Sequence, residues 1–242
     1  MRIHRTRGLA GASAARGTAI VIDVLRAFTT AAYALAPRAG KGAGAREIWL
    51  VSTPEEALAL RADRPELLLV GEVGGKPIPG FDHGNSPERM LALGARELAG
   101  RTLVLRSSSG VQGALAASAS GARVFLGSLV TASATVRAAR AQGSDVTLVA
   151  MGSPGGPDGP EDEACAELLE DLLLERTPDR ERIACAVRES PAGRQALDPT
   201  IDWISRGDLD CALALDRFDF AIEAAFEDGR LVARPNPLLY GS

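Results

Sequence analysis

Long apolar runs, histidines and paired cysteines are all scarce in this 242-residue chain. No stretch of about 18 apolar residues occurs, which argues against a membrane-spanning helix. Residues 1–16 are basic but have no apolar segment, so we expect no signal peptide. The three cysteines, Cys165, Cys185 and Cys211, lack metal-type spacing and suit a reducing cytosol. We therefore expect a cytoplasmic protein without a membrane partner.

Positive charge is limited as well, because 27 basic residues face 31 acidic ones and the net charge is −4. A basic surface is the usual footprint of nucleic-acid binding, so nucleic acid is not an expected partner. Apolar residues make up 46% of the chain, which is enough for a substantial core.

Several familiar catalytic motifs are missing. The chain has no Gly-x-x-x-x-Gly-Lys-[Ser/Thr] loop, no Gly-x-Ser-x-Gly turn and no histidine cluster for zinc. A haloacid-dehalogenase-type phosphatase needs a second aspartate two residues after its nucleophile, but Leu25 stands two residues after Asp23. These absences exclude the commonest phosphatase, hydrolase and nucleotide-binding sites.

Apolar strand patterns alternate with helix patterns as far as residue 175. This alternation predicts an α/β fold with a largely parallel sheet covered by helices on both faces. No low-complexity linker interrupts it, so we expect one domain over 1–242, with residues 1–16 as a flexible start and a partly helical tail over 178–234. The predicted strands cover 18–24, 47–51, 67–70, 102–105, 123–126 and 145–150.

The junction after the first of these strands is the most informative feature that is present. Asp23 ends an apolar run, and Arg26 follows three residues later. Burying a neutral polar group without a hydrogen-bond partner costs about 2–7 kcal/mol, and an unpaired carboxylate in an apolar strand costs at least as much. At the carboxyl end of a parallel strand it would instead point into the crevice where such sheets bind ligands. An acid and a base there suit a metal ion and an anionic substrate.

Other polar residues also follow predicted strands, and we expect them on the same sheet edge. Helix N-termini there would offer N–H groups to an anion, and carboxylates could hold Mg²⁺. Each group also has a structural alternative, as a helix cap, an Asx-turn or a favourable charge at a helix N-terminus. The groups are Glu72 with Asp82, His83, Asn85 with Ser86, Ser107 to Ser109 with Gly110, and Glu161 with Asp162.

These segments together resemble the 2-phosphosulfolactate phosphatase family of coenzyme M biosynthesis. The specific matches are Val21-Ile22-Asp23-Val24-Leu25-Arg26-Ala27 and Ile78-Pro79-Gly80-Phe81-Asp82 with Gly84-Asn85-Ser86-Pro87. Supporting matches are Gly71-Glu72 with Gly74-Gly75, and Gly110. The resemblance implies an α/β/α sandwich with a mixed sheet. It also implies Mg²⁺-dependent hydrolysis of the phosphate monoester of a small sulfonated or carboxylated acid.

The resemblance also implies site residues. The expected catalytic residues are Asp23, Arg26 and Glu72. The expected metal ligands are Asp23, Glu72, Asp82 and Glu161. The expected substrate-binding residues are Arg26, Asn85, Ser86, Ser107, Ser108, Ser109 and Gly110. The expected partner is a small anionic phosphorylated substrate, and a homo-oligomer is left open.

The chain departs from the family pattern at three positions. Val73 stands where the family has Arg, Ser109 where it has Asn, and Val111 where it commonly has Thr. Losing an arginine removes a bidentate anion clamp. One alternative is therefore a diverged homologue that binds anions without turnover. Another is a nucleotide-dependent enzyme, although the glycine-rich loop over 40–44 follows a helix rather than a strand.

Overall fold

The computed structural model describes residues 1–37, 43–93, 95–153 and 159–236. Residues 40–42 of the glycine-rich loop lie outside the described residues. The strands are β1 Ile3–Arg7, β2 Thr18–Ile22, β3 Glu47–Leu50, β4 Leu68–Val73, β5 Lys76–Pro77, β6 Thr102–Arg106, β7 Arg123–Gly127, β8 Val146–Ala150, β9 Ala221–Glu227 and β10 Arg230–Asn236.

The helices alternate with the strands until β8, as the sequence predicted. They are α1 Gly8–Ala14, α2 Ala27–Leu35, α3 Pro54–Asp63, α4 Pro87–Ala92, α5 Ala95–Leu98, α6 Gly110–Ala119, α7 Ala132–Ala141, α8 Pro160–Leu173, α9 Arg180–Glu189, α10 Pro191–Leu197 and α11 Arg206–Ala212, with a 3-10 turn at Leu129–Thr131. None of the helices in the described ranges is long and apolar enough to cross a bilayer.

The strands of the described residues form one mixed sheet in the order β1-β8-β2-β7-β9-β10-β3-β6-β4-β5. Strands β1, β8, β2 and β7 are parallel to one another, and so are β3, β6 and β4. The hairpin β9–β10 lies between the two groups and pairs antiparallel on both sides. Three successive antiparallel pairings, β7–β9, β9–β10 and β10–β3, separate the two parallel groups. The strands of one group therefore run opposite to those of the other.

This reversal corrects the expectation that all the strand–helix junctions share one sheet edge. The expectation assumed a continuous parallel sheet, and the inserted hairpin breaks that continuity. Four strands separate β2 from β6, which is about 24 Å in a flat sheet. Twist of about 20° per strand accumulates to about 100° over these five steps. A twisted and curved sheet can therefore bring the ends of β2 and β6 together.

Helices cover both faces of the sheet, which confirms the α/β/α sandwich. On one face, α1, α2, α4 and α6 pack against both parallel groups, and Phe28, Met90 and Val111 are buried there. On the other face, α7, α8 and α9 cover the first group, where Leu168 and Ile183 are buried. Helix α3 covers the second group. The apolar alternation read from the sequence thus corresponds to two packed interfaces.

The starts of two helices follow local sequence signals. Thr53 caps α3 by accepting a hydrogen bond from the Glu56 amide, and Ser86 caps α4 by accepting one from the Arg89 amide. Proline occupies the first turn of both helices. Short polar side chains satisfy exposed N–H groups at such positions, and proline has no N–H to lose.

Three parts of the fold differ from the sequence-based prediction. Residues 1–16 were expected to be flexible, but β1 pairs with β8 and α1 follows it. The third predicted strand ended at residue 70, but β4 extends to Val73, and Glu72 and Val73 pair with β5. The β9–β10 hairpin was missed, although Asp228-Gly229 is a strong two-residue turn signal. Both turn residues have positive φ, 47° and 81°.

Glu47 joins the hairpin to the second parallel group. Its Oε2 accepts hydrogen bonds from Nε and Nη2 of Arg234 on β10, at 3.0 and 2.8 Å. Its Oε1 accepts from Trp49 Nε1 at 3.0 Å and from Thr102 Oγ1 on β6 at 3.2 Å. Burial acts to raise the pKa of Glu47, but the arginines outweigh it and hold this pKa below 4.5.

We expect Glu47→Gln to lower the free energy of unfolding by about 1–2 kcal/mol at pH 7. Because the folded-state pKa is depressed, the carboxylate's contribution is complete above pH 4.5 and is lost as the pH falls through the folded value. Urea denaturation of both proteins from pH 7 to pH 3 measures the difference.

Glu227→Gln is the matched control, since Glu227 also pairs with Arg234 but is 43% exposed. It should change stability by at most about 0.5 kcal/mol. A difference between wild type and Glu47→Gln that stays constant across the pH range contradicts the assigned ionic contact.

Candidate active site

A cavity of about 300 Å³ opens where the ends of β2, β4 and β6 meet the segments after β8 and α10. This volume suits a small organic ligand. Its lining includes most of the predicted site residues, namely Asp23, Arg26, Glu72, Asn85, Ser108, Ser109 and Glu161. Asp162 also lines it, and Trp203 and Ile204 form part of an apolar wall.

Asp23 ties the two parallel groups of the sheet together at the floor of this cavity. Its Oδ1 accepts a hydrogen bond from the Ala27 amide at the start of α2, and its Oδ2 accepts one from the Gly110 amide at the start of α6, each at 2.9 Å. Burial raises the pKa of Asp23 to about 6, and nearby Glu72 and Glu161 act in the same direction. The two amides oppose that rise.

Glu72 is held by the segments around it. One oxygen accepts from the Gly75 amide at 2.6 Å and from Ser108 Oγ at 3.1 Å, and the other accepts from the Ser108 amide. Arg106 donates to Ser108 Oγ at 2.9 Å. The carboxylate is buried and oriented by groups from both the β4–β5 turn and the segment after β6.

Glu161 and Asp162 come from the first turn of α8. Asp162 accepts hydrogen bonds from the amides of Val24 at 2.7 Å and Gly152 at 2.9 Å. Burial raises its pKa well above 3.8, and the charges of Asp23 and Glu161 raise it further. Burial also raises the pKa of Glu161, whose Oε2 has no hydrogen-bond partner among the described residues.

Arg26 is anchored by protein acceptors. Its Nη1 donates to Asp208 at 3.0 Å and to the carbonyl of Trp203, and its Nη2 donates to the Gly75 carbonyl at 3.0 Å. The guanidinium is nearly buried, and its Nε–H and one Nη2 hydrogen have no acceptor among the described residues. Arg26 can therefore bind an anion while it holds three segments around the cavity.

Asn85 and Ser109 complete the polar lining. Asn85 is 3% exposed, and its Oδ1 lacks a partner within the described part of the chain. Ser109 Oγ donates to the Gly152 carbonyl. Buried polar atoms are normally satisfied, so an orphaned oxygen that faces a cavity marks a position for a ligand or an ion.

Four predicted site residues lie outside the cavity. Asp82 was expected to bind metal, but its Oδ2 accepts from Arg61 Nη1 at 2.6 Å and from the Leu69 amide at 2.7 Å. Ser86 and Ser107 act as helix caps for Arg89 and Val111, and Gly110 contributes only its amide to Asp23.

The physical reasons are local. Asp82 has a complementary arginine on α3, which draws its carboxylate away from the cavity. The two serines satisfy helix N–H groups, which was the structural alternative at both positions. His83, also a loop residue, accepts from Arg89 and does not line the cavity.

Val73 also lies outside the cavity. It is 47% exposed, and it follows Glu72 in strand β4. Because successive strand residues point to opposite faces, the buried Glu72 and the exposed Val73 face in opposite directions. The departure from the family pattern at this position therefore leaves the cavity lining of this chain intact.

The charge of the lining is unbalanced. Four acidic residues, Asp23, Glu72, Glu161 and Asp162, line the cavity with Arg26 as the basic residue. Arg26 already pairs with Asp208. Such a site favours a cation, and the unpartnered oxygens of Asn85 and Glu161 are the hard donors that Mg²⁺ prefers.

No group of three metal-binding side chains converges within the described ranges. Mg²⁺ usually takes one or two protein carboxylates, and water and substrate phosphate complete its coordination. The donor set of this cavity fits that mode of binding better than it fits a fully protein-built cage.

Sequence reasoning missed three contributors to the site. Asp162 was noted beside Glu161 but not assigned a role, although the acidic pair after a strand was a usable signal. Trp203 and Asp208 lie in the tail, where no motif pointed to the cavity. Only the tertiary structure places Trp203 at the cavity and Asp208 beside Arg26.

The sequence model of the 2-phosphosulpholactate phosphatase family matches residues 4–201. The chain belongs to this family. A probable 2-phosphosulfolactate phosphatase of Deinococcus radiodurans is 38% identical over 174 residues, covering 70% of this chain and 69% of the relative. The probable enzyme of Carboxydothermus hydrogenoformans is 33% identical over 232 residues, covering 90% and 91%. Membership confirms the predicted enzyme class, the phosphoric monoester hydrolases.

Gly110→Ala should displace Asp23 and lower the free energy of unfolding by about 1–3 kcal/mol. A Cβ at residue 110 would lie 2.4 Å from Asp23 Oδ2 and 2.7 Å from its Cβ. Chemical denaturation measures the change.

Gly84→Ala serves as the control for this substitution, because its Cβ would meet Pro77 at an ordinary 3.5 Å. Its effect should stay within about 1 kcal/mol. Equal effects of the two substitutions would show that the contact with Asp23 does not decide the outcome.

Asp23→Asn should stabilise the metal-free protein increasingly as the pH rises. The folded protein retains the Asp23 proton up to about pH 6, whereas the unfolded chain loses it near 3.8, so wild-type stability falls between these values. The cumulative gain should be about 3 kcal/mol by pH 7. Denaturation in EDTA from pH 4 to pH 7 measures it, and a gain that shrinks with rising pH contradicts the assignment.

Proposed function

We propose that the protein hydrolyses the phosphate monoester of a small sulfonated or carboxylated acid, such as 2-phosphosulfolactate, with Mg²⁺ as cofactor. The observation that carries this proposal is the group of four buried carboxylates beside Arg26 in one small cavity. Without a cation, these carboxylates would repel a phosphate, so the site needs one to admit its substrate.

One or two of the carboxylates of Asp23, Glu72 and Glu161 would hold Mg²⁺, and water and substrate phosphate would complete its coordination. Bound there, Mg²⁺ would supply positive charge that neutralises the phosphate and stabilises charge in the transition state. Asp82, with its carboxylate committed to Arg61 and the Leu69 amide, is not part of this proposal.

Arg26 supplies the directional part of anion recognition. Its Nε–H and one Nη2 hydrogen can donate to oxygen atoms of the phosphate or of the acid group. Ser109 and Asn85 line the same cavity and offer a hydroxyl and an amide. The apolar wall at Trp203 and Ile204 limits access of water to the bound substrate.

In the proposed reaction, the oxygen of water bonds to phosphorus while the ester P–O bond breaks. The water gives up a proton, and the alkoxide oxygen of the leaving acid takes one up. Glu161 lines the cavity, and its Oε2 has no hydrogen-bond partner among the described residues, so this carboxylate is the one that we assign to accept the proton of the attacking water.

The decisive experiment measures inorganic phosphate released from 2-phosphosulfolactate, and from phosphorylated C3 carboxylic acids, with Mg²⁺ and with EDTA. We expect release with Mg²⁺ and a loss of about 100-fold or more with EDTA. Asp23→Asn should reduce turnover by about 1,000-fold, because the buried carboxylate belongs to the charged centre.

Asp82→Asn is the matched control. It makes the same substitution at a residue that was expected to bind the metal ion but that pairs with Arg61. It should retain turnover within about threefold. Equal losses at Asp23 and Asp82 contradict the site. Binding of phosphate without release would instead support the anion-binding homologue.

Mg²⁺ binding can be tested separately from activity. Added Mg²⁺ should raise the melting temperature of the wild-type protein relative to EDTA, since a ligand that binds the folded state stabilises it. Asp23→Asn should lose this stabilisation. An unchanged melting temperature of the wild type would remove the metal from the proposal.

A further inference from the structure

Asp208 is a buried carboxylate that lies outside the 4–201 segment matched by the family. It occupies the third position of α11 and forms a capping box with Ser205. It does not line the cavity, yet its contacts reach the cavity through Arg26. Its role therefore extends beyond the start of its own helix.

Each oxygen of Asp208 accepts two hydrogen bonds. Oδ1 accepts from Ser86 Oγ at 2.5 Å and from the Glu88 amide at 3.2 Å. Oδ2 accepts from Arg26 Nη1 at 3.0 Å and from the Ser205 amide at 3.1 Å. The carboxylate thus lies where the N-termini of α4 and α11 meet, and neither oxygen can move without breaking two contacts.

This rigidity matters because Arg26 has other potential partners. Asp23 and Glu72 line the same cavity as Arg26, and a buried guanidinium is strongly attracted to carboxylates. Paired with either of them, Arg26 would neutralise the carboxylates that the site needs for a cation. It would also turn its hydrogen-bond donors away from a ligand.

We propose that Asp208 is a positioning residue for anion binding. It holds the Nη1 end of Arg26 away from Asp23 and Glu72, so that the Nε–H and one Nη2 hydrogen stay available to a phosphate or acid group. The inference rests on the proposed function only in that the ligand is such an anion.

The capping box offers a purely structural explanation for Asp208, and the two roles can be separated. Ser205→Ala removes the side-chain cap of α11, where Ser205 Oγ accepts from the Asp208 amide at 3.0 Å. It leaves the Arg26–Asp208 contact in place. Loss of the cap should therefore lower stability without changing anion binding.

The experiment is a double-mutant cycle with Asp208→Asn and Arg26→Met, in which KM and kcat for phosphate release are measured. Asp208→Asn alone should raise KM about tenfold or more and change kcat less. In the Arg26→Met background it should raise KM by less than about twofold, because the residue it positions is already gone. Circular dichroism confirms that each variant is folded.

Two controls accompany the cycle. Asp210→Asn makes the same charge change on an exposed residue of α11, and Ser205→Ala removes the cap. Both should keep KM within about twofold, and Ser205→Ala should lower the melting temperature. An equal rise in KM from Asp208→Asn in both backgrounds, or from Ser205→Ala, overturns the positioning role.

Calorimetric titration with inorganic phosphate, in the presence of Mg²⁺, separates this inference from the proposed activity. Phosphate affinity should fall about fivefold or more in Asp208→Asn and stay unchanged in Asp210→Asn. If the wild type binds phosphate but releases none from any ester, the activity fails and the positioning role stands. If phosphate affinity is the same in wild type and Asp208→Asn, or if neither binds it, the positioning role fails.

Discussion

The hydrogen bonds of the Asp23 carboxylate are the contact on which the site depends. Asp23 ends β2, and its two oxygens receive amides from the N-termini of α2 and α6. Those helices follow strands of opposite direction, separated by four strands in the sheet. Gly110 permits this approach, since any side chain there would overlap Asp23. The carboxylate thereby joins the two halves of the fold at the point where the cavity opens.

Crowded carboxylates give the cavity its chemical character. Burial raises the pKa of Asp23 to about 6 and the pKa values of Glu161 and Asp162 above their ordinary range. This arrangement is costly to the apo protein, because like charges are held together away from water. The cation that we propose would relieve this cost. The same logic explains why Arg26 needs its own partner, Asp208, outside the cavity.

Family membership and the geometry of the cavity support each other. Departures from the family pattern suggested a homologue that binds without turnover, but Val73 lies on the exposed face of β4. Glu72, its buried neighbour, keeps three donors from Gly75 and Ser108. The departure at Val73 therefore changes the outer face of the strand, whereas the departure at Ser109 lies in the cavity lining.

The sequence by itself determined the α/β class and the capped helices, because these follow from apolar periodicity and short-range capping chemistry. It also indicated several polar residues of the cavity lining, because they follow predicted strands. It could not determine the direction of the second strand group, which depends on a hairpin formed some 200 residues after β2 begins. Nor could it separate Glu161 from Asp82, since both are acids near strand ends. Only the tertiary structure shows that Arg61 holds Asp82 outside the cavity. It also shows that Asp208 and Trp203, in the C-terminal tail, contact Arg26. Such choices depend on contacts between distant segments, which local patterns do not encode.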